Sequence, residues 1–298
     1  MHIRETGRSS EMKEISVPLL ETELHREREA DMCRRGGKEL SASANECERE
    51  QGYAEKSFEE TKQHTLEVHG NRMSEQQISN LESLDLKSQI TVISDDEYGK
   101  KFPKADVNVL GHCDAEGNIY MKKRSETVIS HVSTHETVHR CANREVIEDG
   151  AYNTKYVSGL HEVVRGRDGT LIKDANRGIN EGVTEMYTLR ELETRGETEA
   201  AYSINAYSES RMWAQRLEQL VGEDCIADAY FGRDNERLQT TFNRLDSGRA
   251  DAWERFSKNV DILEYGRTSD EIERAQRELT EQYIEMLLNK DIVDEGVL

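Results

Sequence analysis

The chain has 298 residues, of which 35% are hydrophobic and 34% charged, and its formal net charge is -20 at pH 7. That charge opposes nucleic acid and anionic membrane at long range, so neither is expected as a partner. The five cysteines are odd in number, scattered and without C-x-x-C spacing, which excludes a disulfide framework or a cysteine zinc knuckle and makes a reducing compartment the expectation.

The opening residues carry no apolar signal region, and no run of eighteen apolar residues occurs anywhere. A cytoplasmic protein is therefore expected, or one exported by a non-classical route. Residues 1–85 are crowded with Glu, Arg, Lys, Gln and Ser. Their apolar face is thin even where Ile15 to Arg28 reads as helical, so they are expected to form a charged, partly helical or flexible extension. No chemistry is expected there, and His25, His64 and His69 are read as solvated. Residues 86–298 hold the expected catalytic domain. With only two prolines in a mostly periodic sequence, its class is α+β, helix-dominant.

Three short stretches rich in β-branched residues, Gln89–Ile93, Val107–Leu110 and Asn118–Met121, predict a small mixed sheet. Asn118 to Lys122 is the expected edge strand, where free backbone groups would meet an extended peptide. A helix-patterned segment from about Ser125 to Ile147 follows, with Val128, Ile129, Val132, Val138, Cys141 and Ala142 as its apolar stripe.

That segment contains His135-Glu136-Thr137-Val138-His139, an H-E-x-x-H motif. Residues four apart share a helix face, so both imidazoles can reach one zinc ion, while Glu136 stands beside it as a base for a metal-activated water. His131 extends the series, but three histidines at successive fours spread over about 12 Å and cannot share one ion. It is expected to support the site or to be merely polar.

Beyond Gly150 a hairpin is predicted from Lys155 to Val164, turning at Asp168-Gly169 and returning through Thr170–Ile172. A second helix then opens at Asn180-Glu181-Gly182-Val183-Thr184-Glu185. Glu181 can be the third ligand. Glu185, one turn on, can accept the N–H of a metal-bound histidine and hold its ring. Glu145, six residues past His139, is a rival third ligand on a metzincin-like spacing. Ala142 stands where that pattern turns at glycine, so the helix is expected to continue and carry Glu145 away.

The pair H-E-x-x-H and N-E-x-x-T-E resembles the gluzincins, the thermolysin-like zinc metallopeptidases. It departs from thermolysin in a longer interval between His139 and Glu181 and in Glu185 standing for the usual aspartate. The resemblance covers roughly Asn118 to Arg190. It implies a zincin-like fold, with a small mixed sheet packed on the motif helix and a C-terminal helical lobe. It further implies zinc held by His135, His139 and Glu181, Glu136 as general base, Glu185 as the orienting group, and a protein or peptide substrate.

Such enzymes also use a histidine or tyrosine beyond the third ligand to stabilise the oxyanion. No histidine follows His161, so Tyr187, Tyr202 and Tyr207 are the candidates, with Tyr207 favoured and Arg211 one turn on. The rest of the chain reads as helices with cores at Trp213/Leu217/Leu220, Cys225/Ala229/Phe231, Leu238/Phe242/Leu245 and Trp253/Phe256/Val260/Leu263. A last helix starts at the capping box Thr268-x-x-Glu271. A non-catalytic zincin-fold binding protein and an effector hydrolase acting on one protein or another amide are the alternative readings.

Overall fold

The computed structural model describes residues 13–16, 39–103, 109–113, 118–149 and 153–294. Helix dominates, and the strands form two separate four-stranded sheets. The first sheet runs in the order β1 (Lys13–Ser16), β3 (Val109–Cys113), β4 (Ile119–Lys122), β2 (Ile90–Ile93). It is mixed, because β2 and β4 are parallel while β3 is antiparallel to β4.

This order corrects the expected edge. Ile119 pairs with both Ile90 and Cys113, so Asn118–Lys122 forms an interior strand. The outer strand β2 does not offer all its backbone groups to a peptide either. The Gln51 side chain donates to Ile90 O at 2.7 Å and accepts from Val92 N at 3.0 Å. Ile15 and Ser16, expected to begin a helical stretch, belong to β1, and Ser16 pairs with Val109 across an irregularity in register. Residues 17–28 of that stretch, like Val107 and Asn108, lie outside the described residues.

The motif helix, Glu126–Cys141, leaves β4 after a short link. On one flank Ile129 and Val132 share a buried cluster with Ile90, Leu110, Ile119 and Met121. A Cβ at Gly111 would come 2.8 Å from Val132 Cγ1, so this glycine lets β3 lie close on the helix. Further along, Val138, Cys141 and Ala142 enter the helical core. Every residue from Ile129 to His139 is buried, so polar side chains on this helix must find partners inside the protein.

The helix ends sooner than the periodicity implies. Ala142 is already extended at φ -59°, ψ 151°. Asn143 N then donates to Tyr230 O at 2.8 Å, and Asn143 O accepts from Gly159 N at 2.7 Å. These tertiary bonds outcompete another helical turn, and Arg144–Asp149 becomes strand β5. It opens an antiparallel meander with β6 (Asn153–Ser158), β7 (His161–Gly166) and β8 (Leu171–Ala175). The segment read as one strand from Lys155 to Val164 is thus two strands, joined at Gly159, whose φ is +59°.

Among the residues before 85, expected to be partly helical or flexible, a long helix is docked on the rest of the chain. Helix Glu39–His69 lies along the motif helix through small polar side chains. Ser57 Oγ meets Thr134 Oγ1 at 3.0 Å, and Ser133 Oγ donates to Ala54 O at 2.8 Å. Arg195 ties the pair together, donating to Thr61 Oγ1 at 2.7 Å and Thr134 Oγ1 at 2.8 Å. His69, expected in solvent, is buried and stacked on Phe231 with centroids 4.3 Å apart. His64 is half-buried and bonds Glu191 at 2.6 Å. His25 lies outside the described residues.

Beyond the second motif, helices Ser208–Val221, Glu223–Gly232, Asn235–Leu245, Ala252–Tyr265 and Ser269–Asp294 bury the expected Trp213, Leu217, Leu220, Phe231, Phe242 and Phe256 in one core. The Thr268/Glu271 capping box is reciprocal, with both N–H···O contacts at 3.2 Å. No helix among the described residues is long and apolar enough to cross a membrane.

Candidate metal centre

The second motif lies on helix Arg177–Thr194, which packs across the motif helix. Two glycines one turn apart make room for its neighbours. A Cβ at Gly178 would come 2.9 Å from Val260 O, and one at Gly182 only 2.2 Å from Ser210 O. The small residues flanking Glu181 therefore let two further helices sit close behind it.

This packing brings His135, His139 and Glu181 together, with one possible ligand atom from each lying within 4.8 Å of the others. The two imidazole centroids are 4.8 Å apart. Glu181 Oε2 is 2.9 Å from His139 Nε2 and 3.4 Å from His135 Nε2. All three side chains are buried.

The surrounding bonds decide which nitrogen of each ring points inward. Thr184 has one hydroxyl proton, and the Asn180 carbonyl 2.8 Å away takes it in the usual helical back-bond. His139 Nδ1, 3.2 Å from the same oxygen, must then be the donor, and Tyr230 OH donates to it as well at 2.6 Å. On the other ring, His135 Nδ1 donates to Glu185 Oε2 at 3.0 Å. With both rings neutral, the two Nε2 atoms are left to face Glu181 with their lone pairs, and His135 Nε2 makes no hydrogen bond among the described residues. Two lone pairs and a carboxylate oxygen converging in a buried space repel one another unless a cation lies between them, so the donor set fits a metal ion.

Glu185 does more than its spacing predicts. It is fully buried, and besides His135 it meets His131 Nε2 at 3.1 Å. His131 Nδ1 in turn lies 3.0 Å from Ala200 O, so both nitrogens of that ring face acceptors. His131 thus supports the site, as one of its two expected readings has it, by holding the carboxylate that holds His135. Thr184 and Tyr230 were missed. The signal for Thr184 is its place one turn after Asn180 on the face that carries Glu181.

The charges respond to this crowding. Burial opposes ionisation of Glu185, but His131 and His135 bring its pKa down to about 2. Burial likewise opposes the charge on Glu181, yet His139 and His135 hold it well below the usual carboxylate range. For His135, burial works against the proton, while Glu181 and Glu185 raise its pKa to about 10. Without a metal, a proton on His135 takes the place of the cation.

Glu136 is buried in the same turn of the motif helix. Tyr207, the residue before helix Ser208–Val221, is buried with its ring nearly parallel to that of His135, centroids 5.6 Å apart. Its φ of +49° is costly for a tyrosine, and the surrounding structure must over-determine that conformation. The other candidate tyrosines are elsewhere. Tyr187 packs among His69, Tyr230 and Phe231, and Tyr202 is exposed, with its hydroxyl 2.7 Å from Glu193. Arg211 donates its backbone N–H to Tyr207 O at 2.7 Å. Glu145 sits on β5 near Arg233, so it is away from the triad because the chain leaves the helix, not because the helix continues.

A groove of about 830 Å³ lies on the far flank of the motif helix, between Tyr53, Lys56, Thr127 and Ala200; none of the triad lines it. Comparison with family models, curated proteins and solved structures finds no match to this chain.

Proposed function

We propose that the protein is a zinc-dependent hydrolase of peptide bonds, organised as in the gluzincins. The observation that carries the reading is the convergence of His135 Nε2, His139 Nε2 and Glu181 Oε2 while both Nδ1 atoms are engaged elsewhere. Two imidazoles and one carboxylate form the donor set of catalytic zinc, which leaves a fourth position open, rather than that of closed structural sites. Bound there, zinc supplies Lewis acidity and makes water acidic near neutral pH.

The remaining steps belong to the protein. Glu136 holds the proton taken from the attacking water and returns it to the leaving amine nitrogen, acting first as base and then as acid. Glu185 keeps the His135 lone pair directed inward throughout, and Thr184 does the same for His139. The hydroxyl of Tyr207, beside His135, donates to the oxyanion that develops on the carbonyl.

Metal analysis of the purified chain, followed by digestion of a peptide library, tests the proposal. One zinc per chain is expected, lost in His135→Ala and Glu181→Ala, together with cleavage that disappears in Glu136→Gln while zinc remains. Unchanged zinc in both ligand variants overturns the site. A chain that keeps zinc but cuts no peptide overturns the peptidase and leaves the binding-protein or other-amide reading.

A further inference from the structure

Arg177 is the first residue of the helix that carries Glu181, one turn before it and on the same face. Its guanidinium lies 4.7 Å over the ring of Tyr265, the last residue of helix Ala252–Tyr265. It makes no hydrogen bond and no ion pair with any described residue, whereas Arg49, Arg124, Arg190 and Arg237 each pair with a carboxylate. Stacking on a ring face leaves the N–H fork at the edge of the guanidinium open.

The backbone beneath Arg177 is fixed. Asn176 is held at φ +65° and donates its side-chain amide to Leu160 O at 3.1 Å, while Gly178 N donates to Asp261 Oδ1 at 2.5 Å. Burial opposes its charge, while the carboxylates of Glu181 and Asp174 are among the groups that favour it, in keeping with its place one turn before Glu181 at the edge of the metal triad. Arg177 is half-buried and Tyr265 is 38% exposed, which places the pair where the buried cluster meets solvent.

We propose that Arg177 is a substrate-binding residue, whose free guanidinium fork takes a carboxylate of the peptide beside the scissile bond. This rests on the hydrolase reading above. Were Arg177 only a counter-charge for Glu181, direct pairing with a carboxylate would be expected; instead it stacks on an aromatic ring with its donors unused. A planar fork matches a carboxylate with two parallel hydrogen bonds, and the site needs such an attraction because the net charge of -20 repels anionic peptides. The carboxylate has two sources, an acidic side chain next to the cleaved bond or the free C-terminus of a short peptide.

The test uses the zinc-loaded full chain and two sets of paired peptides. One set exchanges Asp or Glu for Asn or Gln beside the cleaved bond, and the other exchanges a free C-terminus for its amide. Wild type should favour the carboxylate member of one set, which identifies the source. Arg177→Gln should erase that preference by lowering kcat/KM for the carboxylate peptide on the order of 10- to 100-fold, mainly through KM. The carboxamide partner should hardly change, and zinc content and melting temperature should be retained. Arg177→Lys should recover only part of the preference. Equal cleavage of both members by wild type, or equal losses on both in Arg177→Gln, would overturn the proposal. If zinc is bound but no peptide is cut, the hydrolase reading fails separately. Calorimetric binding of succinate against succinamide then decides for Arg177: a succinate preference lost in Arg177→Gln sustains it, and no preference overturns it.

Discussion

Glu185→Gln isolates the carboxylate that serves two histidines. In the native site it accepts from His135 Nδ1 at 3.0 Å and meets His131 Nε2 at 3.1 Å, with no access to water. A carboxamide of the same shape keeps one acceptor oxygen and presents an NH2 where the second oxygen was, so it can satisfy one histidine but opposes N–H to N–H at the other. His135 is then free to turn, or to carry its proton on Nε2, where it is no ligand. Loss of such an outer partner typically costs 10- to 100-fold in metal affinity, or about 1.4–2.7 kcal/mol. The metal-free protein should suffer as well. A Glu185 pKa lowered to about 2 from 4.5 corresponds to native-state stability on the order of 3 kcal/mol at neutral pH. That contribution is present above the ordinary carboxylate pKa and is lost as pH falls toward 2. Zinc competition against a chelator near neutral pH measures the first effect, and thermal melting of the metal-free chain measures the second. Wild-type zinc affinity in a folded Glu185→Gln would refute the reasoning. Thr184→Val, which removes the acceptor for His139 Nδ1, should weaken zinc by roughly 10-fold in the same assay.

The remaining expectations concern single groups. Glu136→Gln should retain zinc and lose turnover by several orders of magnitude, whereas a loss of metal would make Glu136 a structural residue. Tyr207→Phe should lower kcat on the order of 100-fold with zinc intact, and Tyr202→Phe should change nothing; the reverse would shift the role to Tyr202. In the metal-free chain the raised His135 pKa gives stability that is complete below 6.5 and lost as pH rises through about 10. Melting curves across that range should therefore fall for the metal-free chain and stay flatter with zinc, and parallel curves would count against it. Gly159→Ala should weaken zinc and destabilise the fold together, since the new methyl would come 2.6 Å from Asn180 Oδ1, next to Glu181; unchanged zinc affinity would show that the contact relaxes without moving the ligand.

What the sequence made legible is what is local. The two short motifs name the converging side chains because helix spacing alone puts His135 with His139 and Glu181 with Glu185. The aromatic and leucine periodicity of residues 208–263 likewise reports the helices that bury it. That the extension is partly helical was legible, but the docking of helix Glu39–His69 was not: besides Ala54 and Phe58 it meets the motif helix through Ser57, Thr61, Ser133 and Thr134, so the apolar stripe that marks the contact is thin. Strand β5 was hidden because its Val146 is 64% exposed and its other residues are mostly charged, leaving helical continuation the better pattern. The interior position of β4 depends on β2 returning parallel to it, which three short apolar stretches do not specify. His131 gains its role from Ala200 and Glu185, both far along the chain, and no spacing rule reaches that far.

The long interval between His139 and Glu181 is filled by four strands of meander, much of it exposed, and the bonding ties one turn of that meander to the site. Gly159 N donates to Asn143 O, just past the end of the motif helix, at 2.7 Å. Leu160 N donates to Asn180 Oδ1 at 2.9 Å, and Leu160 O accepts from Asn176 Nδ2 at 3.1 Å, both at the start of the glutamate helix. The Gly159-Leu160 turn is thus a clamp that reads both helices at once, with the Tyr230 ring closing over it and the Tyr230 hydroxyl bonded to Thr184. The asparagine of the second motif is buried because it receives this turn, and so the residue next to Glu181 is the one that registers the two helices against each other.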